Sequence, residues 1–229
     1  MKWNWVTLLA TPLVLLGCKE STQAPAPQPS PTAAMVLTAD APTVLALGDS
    51  LFAGYGLGPG ESYPAHLETA LNSDGIRVRV VNAGVSGDTT ADGLARVDFV
   101  LNGMKQIPVL AIISLGGNDM LRAVPPAETR KNVAAILAKF QAAKVPVVLL
   151  QLLAAPNLGM EYADQFNPIY PELAKKYGAT LVPFWLAPLQ GHPELLQGDH
   201  IHPTLPGIDK LVTATVDQVA QAVPKKSAR

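Results

Sequence analysis

One cysteine stands in the whole chain, Cys18, so no intramolecular disulfide can form. Lys and Arg adjoin one another only in pairs, such as Lys225-Lys226 near the end, with no larger cluster, and the formal net charge is only -1. Binders of nucleic acid carry a concentrated positive patch, and its lack argues against such a partner. No set of His, Asp and Glu has metal-ligand spacing on one element, and no GxxxxGKS/T loop is present to cradle a phosphate. No metal and no cofactor are expected. Internal repeats are lacking too.

The first 40 residues do not read as folded domain. Met1-Lys2 makes a short positive start, and the apolar run Val6 to Leu16 has signal-peptide length, too short to span a bilayer comfortably. It ends in Leu15-Leu16-Gly17-Cys18, which resembles a bacterial lipobox, whose cysteine is lipidated and becomes the mature N-terminus. A lone cysteine can be a nucleophile, but the end of a hydrophobic leader is a poor place for one. Ser21 to Thr32, STQAPAPQPSPT, cannot bury enough apolar surface to fold and reads as an extended tether. The expected organisation is a lipoprotein signal peptide over 1–17, a lipidated Cys18 with a Pro-rich tether over 18–41, and one domain over 42–229. Lys19 rather than aspartate follows the cysteine. By resemblance to Gram-negative lipoproteins, that implies the periplasmic face of the outer membrane.

Within the domain, apolar segments alternate with helical patterns. Strands are expected at Val44–Leu47, Arg77–Val81, Val109–Ser114, Val147–Leu150 and Thr180–Val182. Their apolar stretches are continuous rather than alternating, which predicts a parallel sheet covered on both faces. Helices are expected at Tyr63–Leu71, Thr89–Leu101, Pro126–Ala142, Met160–Tyr177 and Leu205–Ala222. In the third, Val133, Ile136, Leu137 and Phe140 recur at helical spacing, giving one apolar face for the sheet. Such alternation builds a three-layer α/β/α sandwich with right-handed crossovers.

Chemistry concentrates where the strands stop. Val44-Leu45-Ala46-Leu47 ends at Gly48-Asp49-Ser50, the second strand at Asn82-Ala83-Gly84, the third at Gly117-Asn118-Asp119. In a parallel sheet these ends share one edge, the edge at which open α/β sheets bind ligands. A serine after a strand also N-caps helices, and the first stretch alone does not separate the two roles. Asp199 and His202 follow in Gly198-Asp199-His200-Ile201-His202-Pro203. Three residues apart in a loop, a carboxylate can hold Nδ1 of the imidazole and aim Nε2 at a serine. A serine hydroxyl is a weak nucleophile until a base takes its proton, and the resulting oxyanion needs donors. These are the ingredients of acyl transfer.

The blocks GDSLFAGYGL (48–57), VVNAGVSGDTTADGLARVD (80–98), LGGNDMLRAVPP (115–126), APNLGMEYADQF (155–166) and GDHIHP (198–203) resemble the SGNH (GDSL) hydrolases. Within that family they are similar to the bacterial thioesterase I, lysophospholipase and arylesterase branch. The resemblance spans nearly the whole folded part. It implies a flavodoxin-like five-stranded parallel sheet, with Ser50 as nucleophile, His202 as base and Asp199 supporting it. It implies an oxyanion hole made of Ser50 N–H, Gly84 N–H and the Asn118 side chain. Two departures, Ala154-Ala155-Pro156 and Ser114, are expected near the acyl groove, where they bear on chain-length preference rather than catalysis. The lipobox and tether also differ from the soluble periplasmic form.

Other polar residues receive plainer roles. Asp49 is expected to serve as a structural hydrogen-bonding group, and Asp119 to cap the turn after it. His200 competes with His202, but the Asp-x-x-His spacing and Pro203 favour His202. His66 and His192 are expected in solvent. The chain is thus expected to be a monomeric serine esterase acting on acyl esters or thioesters such as lysophospholipids, with a lipid anchor as its contact to the membrane. Its rivals are an O-deacetylase of cell-wall carbohydrate and, from another class, a non-catalytic lipid-binding lipoprotein.

Overall fold

The computed structural model describes residues 41–224. The leader, Cys18, the Pro-rich segment through residue 40 and Lys225-Lys226 lie outside the described residues. Ala41, read as the end of the tether, is buried, and its carbonyl accepts from Gln106 Nε2 at 3.0 Å.

Five strands, β1 (Thr43–Gly48), β2 (Arg79–Gly84), β3 (Leu110–Ser114), β4 (Val147–Leu150) and β5 (Thr180–Val182), pair in the order β2-β1-β3-β4-β5. Every pairing is parallel. This is the flavodoxin-like order, in which the chain reverses direction across the sheet beside β1. The central strands β1, β3 and β4 are buried along their whole length, as their unbroken Val, Leu, Ile and Ala content requires. The edge strands β2 and β5 are only partly covered.

The main helices are α2 (Tyr63–Ser73), α3 (Thr90–Gly103), α5 (Pro126–Ala142), α7 (Ile169–Tyr177) and α8 (Leu205–Ala222). One layer pairs α2 with α8, and the other sets α3 beside α5 and α5 beside α7. Their starts are locally encoded. Thr89 and Asp92 form a reciprocal capping box before α3, and Thr204 caps α8 through Gly207 N. Among the described residues, no helix is long and apolar enough to cross a membrane.

Three expectations change. The second strand runs to Gly84 rather than stopping at Val81, because Asn82, Ala83 and Gly84 pair with Ala46, Leu47 and Gly48. Residues 77 and 78 stay outside it: the carboxamide of Asn72 binds both the N–H and the carbonyl of Val78, standing in for a strand partner. The long helix Met160–Tyr177 is two helices, α6 (Met160–Phe166) and α7, broken at Asn167-Pro168. Pro168 has no N–H to continue the ladder. The carbonyl of Asn167 instead accepts from Gln151 Nε2, and its Oδ1 accepts from Ala154 N.

Two short helices sit at the strand ends, α1 (Ser50–Ala53) and α4 (Gly117–Leu121). Four residues cannot sustain a helix alone, so α1 depends on packing. Phe52 supplies it, wholly buried, stacked on Tyr63 at 5.3 Å and edge-on to Trp185 at 5.9 Å. Burying such a side chain is worth about 1.5–3 kcal/mol. Leu51 is buried beside it.

Candidate active site

The register brings the first, second and third strands to one level. Gly48 lies opposite Gly84 on one side and Ser114 on the other, so the loops after all three strands open at the same edge. Ser50 stands at the first position of α1, and Asp49 is the N-cap, its Oδ1 accepting from Leu51 N at 3.0 Å. Asp49 therefore takes the structural role expected, and the capping falls to it rather than to Ser50. The first N–H groups of a helix have no partner inside it. Ser50 N is such a group and has no acceptor among the described residues.

His202 reaches Ser50 across the sheet edge. Its Nε2 lies 2.8 Å from Ser50 Oγ, and its Nδ1 lies 2.6 Å from Asp199 Oδ2. The other carboxylate oxygen, Oδ1, accepts from the backbone N–H groups of Ile201 and His202, each at 3.0 Å. These donors, the His202 ring first, hold the Asp199 carboxyl well below the usual carboxylate range. An ionised carboxylate only accepts, so it fixes the imidazole proton on Nδ1 and leaves Nε2 free to accept from the serine hydroxyl. His200 is exposed, with a left-handed φ of 58°, and takes no part. His66 is not in open solvent: its Nδ1 meets Asp209 Oδ1 at 2.7 Å, joining α2 to α8. His192, exposed, sets its Nδ1 2.9 Å from Glu194 Oε1.

Asn118 lies in α4 with its Nδ2 donating to the carbonyl of Asp88 at 3.0 Å. A carboxamide has two N–H donors, so one remains for a ligand. Gly84 is different from expectation. Its N–H already donates to Asn82 Oδ1 at 2.8 Å, which removes it as an oxyanion donor. Its lack of a side chain has another cause: a Cβ there would fall 2.4 Å from Ala53 N, so only glycine lets β2 rest on α1. Gly87, three residues on, has φ +89 and an N–H without an acceptor among the described residues. Its neighbour Asp88 is the residue Asn118 holds.

Several supporting residues were hidden in the quoted blocks. Asn82 Nδ2 donates to Phe52 O at 2.7 Å and to Ser62 Oγ, fastening α1 from below. Arg96 binds the Asp88 carboxylate at 2.5 Å and Gly48 O at 2.9 Å, tying the 85–89 loop to the end of β1. Asp119 does not cap the turn after it. Buried, it accepts from Thr90 N at 2.7 Å and from the hydroxyls of Thr90 and Thr129, so it joins α4 to α3 and α5. Ser114 is wholly buried in β3 rather than lining a groove. Asp49 is also buried, and burial pushes its carboxyl up to about 6, against the lowering effect of the Leu51 N–H. Among the described residues, no group of three His, Cys, Asp or Glu could hold a metal ion.

A serine activated by a histidine that an aspartate orients, beside unpartnered N–H donors, is the site of a serine hydrolase. The chain belongs to the GDSL-like Lipase/Acylhydrolase family, which it matches over residues 46–209. It is 40% identical to Esterase TesA of Pseudomonas aeruginosa over 174 residues, 76% of this chain and 86% of that one. It is 39% identical over 165 residues to the thioesterase 1/protease 1/lysophospholipase of Escherichia coli, covering 72% and 77% of the two chains. The crystal structure of AlinE4, an SGNH-hydrolase family esterase, superposes with a TM-score of 0.69 at 55% identity, covering 81% of this chain and 98% of that one. The protein is an SGNH esterase, a hydrolase acting on esters.

Proposed function

We propose that this esterase cleaves acyl esters and thioesters of lipidic type, lysophospholipids among them, through an acyl-enzyme on Ser50. His202 Nε2 takes the hydroxyl proton as Oγ attacks the carbonyl carbon. The tetrahedral oxyanion is held by Ser50 N–H, Gly87 N–H and Asn118 Nδ2. His202 then gives its proton to the departing alcohol or thiol as the bond to it breaks. A water, deprotonated in turn by His202, attacks the acyl carbon, and His202 returns that proton to Oγ as the bond to Ser50 breaks. The observation that carries this reading is the Ser50–His202–Asp199 relay with its contacts of 2.8 and 2.6 Å.

An apolar substrate is supported by the setting of the relay. Among the described residues, the exposed large hydrophobics Tyr55, Val85, Leu121, Met160 and Ile201 sit on segments that follow the strand ends or adjoin His202. The relatives named as esterase and lysophospholipase agree with this reading. The lipobox-like Leu15-Leu16-Gly17-Cys18 supports lipidation at Cys18, and Lys19 after it supports the periplasmic face of the outer membrane as the enzyme's place.

A panel of aryl esters of rising acyl length, run beside a lysophospholipid, tests the substrate. Turnover of long chains and of the lysophospholipid, with fluorophosphonate labelling of Ser50, is the expected result. Activity confined to acetyl groups would make the enzyme a deacetylase. Mass spectrometry of the mature N-terminus tests the anchor, and an unmodified peptide beginning at another residue would remove it.

A further inference from the structure

In acylation the proton on His202 Nε2 has one destination, the oxygen of the departing alcohol. That oxygen must come within about 2.6–3.2 Å of Nε2. A ring stacked on the imidazole therefore stands within reach of the leaving group. Tyr55 occupies that place. Its ring centroid lies 4.4 Å from that of His202, with the planes inclined by 34°. The residue is 53% exposed, so much of the ring remains open to an incoming molecule.

The position of Tyr55 is built, not incidental. Its N–H donates to Ser50 O at 3.2 Å, and its carbonyl accepts from Gln197 Nε2 at 2.7 Å. The same Gln197 Nε2 donates to Pro203 O at 3.0 Å, and Gln197 N donates to His202 O at 2.7 Å. One side chain thus couples the loop after the nucleophile to the loop of the base. Gly56 makes room for it, since a Cβ there would fall 2.1 Å from Gln197 Oε1.

We propose that Tyr55 is the leaving-group specificity residue of this esterase, a platform for flat alcohol portions, and that Gln197 is its positioning residue. The inference rests on His202 being the acid that protonates the leaving oxygen. An aromatic ring on the departing alcohol meets the Tyr55 ring during acylation, while the acyl chain lies on the other side of the carbonyl. Aromatic contacts favour offset or edge-to-face pairs and add to plain burial.

Benzyl acetate and cyclohexylmethyl acetate test this, because they share an acyl group and differ in the aromaticity of similar-sized alcohols. Both pass through the same acetyl-enzyme, and kcat/KM reports the acylation step. The expected result is a preference for the benzyl ester that falls about two- to tenfold in Tyr55→Leu and survives in Tyr55→Phe. Gln197→Ala should lower the same ratio. An unchanged ratio in Tyr55→Leu, or an equal loss on both esters, would overturn the proposal, since a role confined to holding His202 would slow both alike. Ser50→Ala, run beside them, reads the underlying mechanism separately. If it still hydrolysed both esters, the relay itself would be misassigned, whatever Tyr55 did.

Discussion

Asn82 Oδ1 accepts the N–H of Gly84 at 2.8 Å, two residues along the same strand. The same side chain holds Phe52 O and Ser62 Oγ, so one carboxamide sets the floor beneath the nucleophile helix. Asn82→Ala should lower stability by about 1–3 kcal/mol, the cost of leaving partly buried partners unsatisfied. It should also lower kcat more than it raises KM, because Ser50 loses its support. Urea unfolding beside steady-state kinetics would show this, and unchanged stability would mean that those partners are satisfied without Asn82.

In the proposed mechanism Asn118 meets charge that exists only in the transition state. Asn118→Ala should cut kcat roughly 100- to 1,000-fold with little change in KM. A change in KM alone would make it a substrate-binding residue.

In the proposed mechanism Ser50 and His202 act in a single step, so their losses should not multiply. Ser50→Ala and His202→Ala should each remove nearly all relay-dependent rate, and the double variant should be scarcely worse than either. Asp199→Asn should be milder, as in the subtilisin triad, where loss of the acid costs roughly 10⁴-fold against about 10⁶ for the others. kcat on a short aryl ester is the measurement, and multiplicative losses would show that the pair does not work as a unit.

Asp49 should make stability depend on pH in an unusual direction. Its folded value of about 6 lies above the ordinary 3.8, so the folded protein binds this proton more tightly than the unfolded chain. The contribution is full below the unfolded value and is lost as pH rises through the folded one. Asp49→Asn keeps an N-cap acceptor for Leu51 N but carries no charge. The variant should gain on the parent across that window, by up to about 3 kcal/mol above it. Unfolding by urea at about pH 4 and about pH 8 decides it, and an equal difference at both would refute the burial argument.

His200 holds a left-handed turn between Asp199 and His202, with φ 58°. Asparagine tolerates that conformation and β-branched residues do not. His200→Asn should keep nearly all activity, and His200→Val should lose kcat by distorting the loop that aims His202. A His200→Asn variant as inactive as His202→Ala would put the base at the wrong histidine.

Much of this site was legible in the order of residues. Val44–Leu47 and Val147–Leu150 declared themselves as buried strands because both faces need apolar side chains. The Asp199-x-x-His202 spacing singled out the base because a loop of that length returns a carboxylate to its own imidazole. Helix starts at Thr89 and Thr204 follow from capping chemistry, which is local.

The misreadings share a cause. Asn82-Ala83-Gly84 looks like a strand's end by composition, yet pairing with Ala46–Gly48 keeps it in the sheet. Gly84, an oxyanion donor by the family resemblance, gives its N–H to Asn82 instead. The Arg96 clamp on Gly48, the Asp119 bonds to Thr90 and the Gln197 bond to Tyr55 join residues 48, 29 and 142 positions apart. Periodicity, caps and short loop spacings are set by neighbours within a turn or two, so the chain by itself determined most of its elements, the shared edge of Ser50 and Asn118 and the pairing of Asp199 with His202. Which N–H remains free for an oxyanion, and which ring lies over His202, depend on hydrogen bonds and contacts between segments distant in sequence. Only closure of the fold creates those partners, so only the tertiary structure decided them.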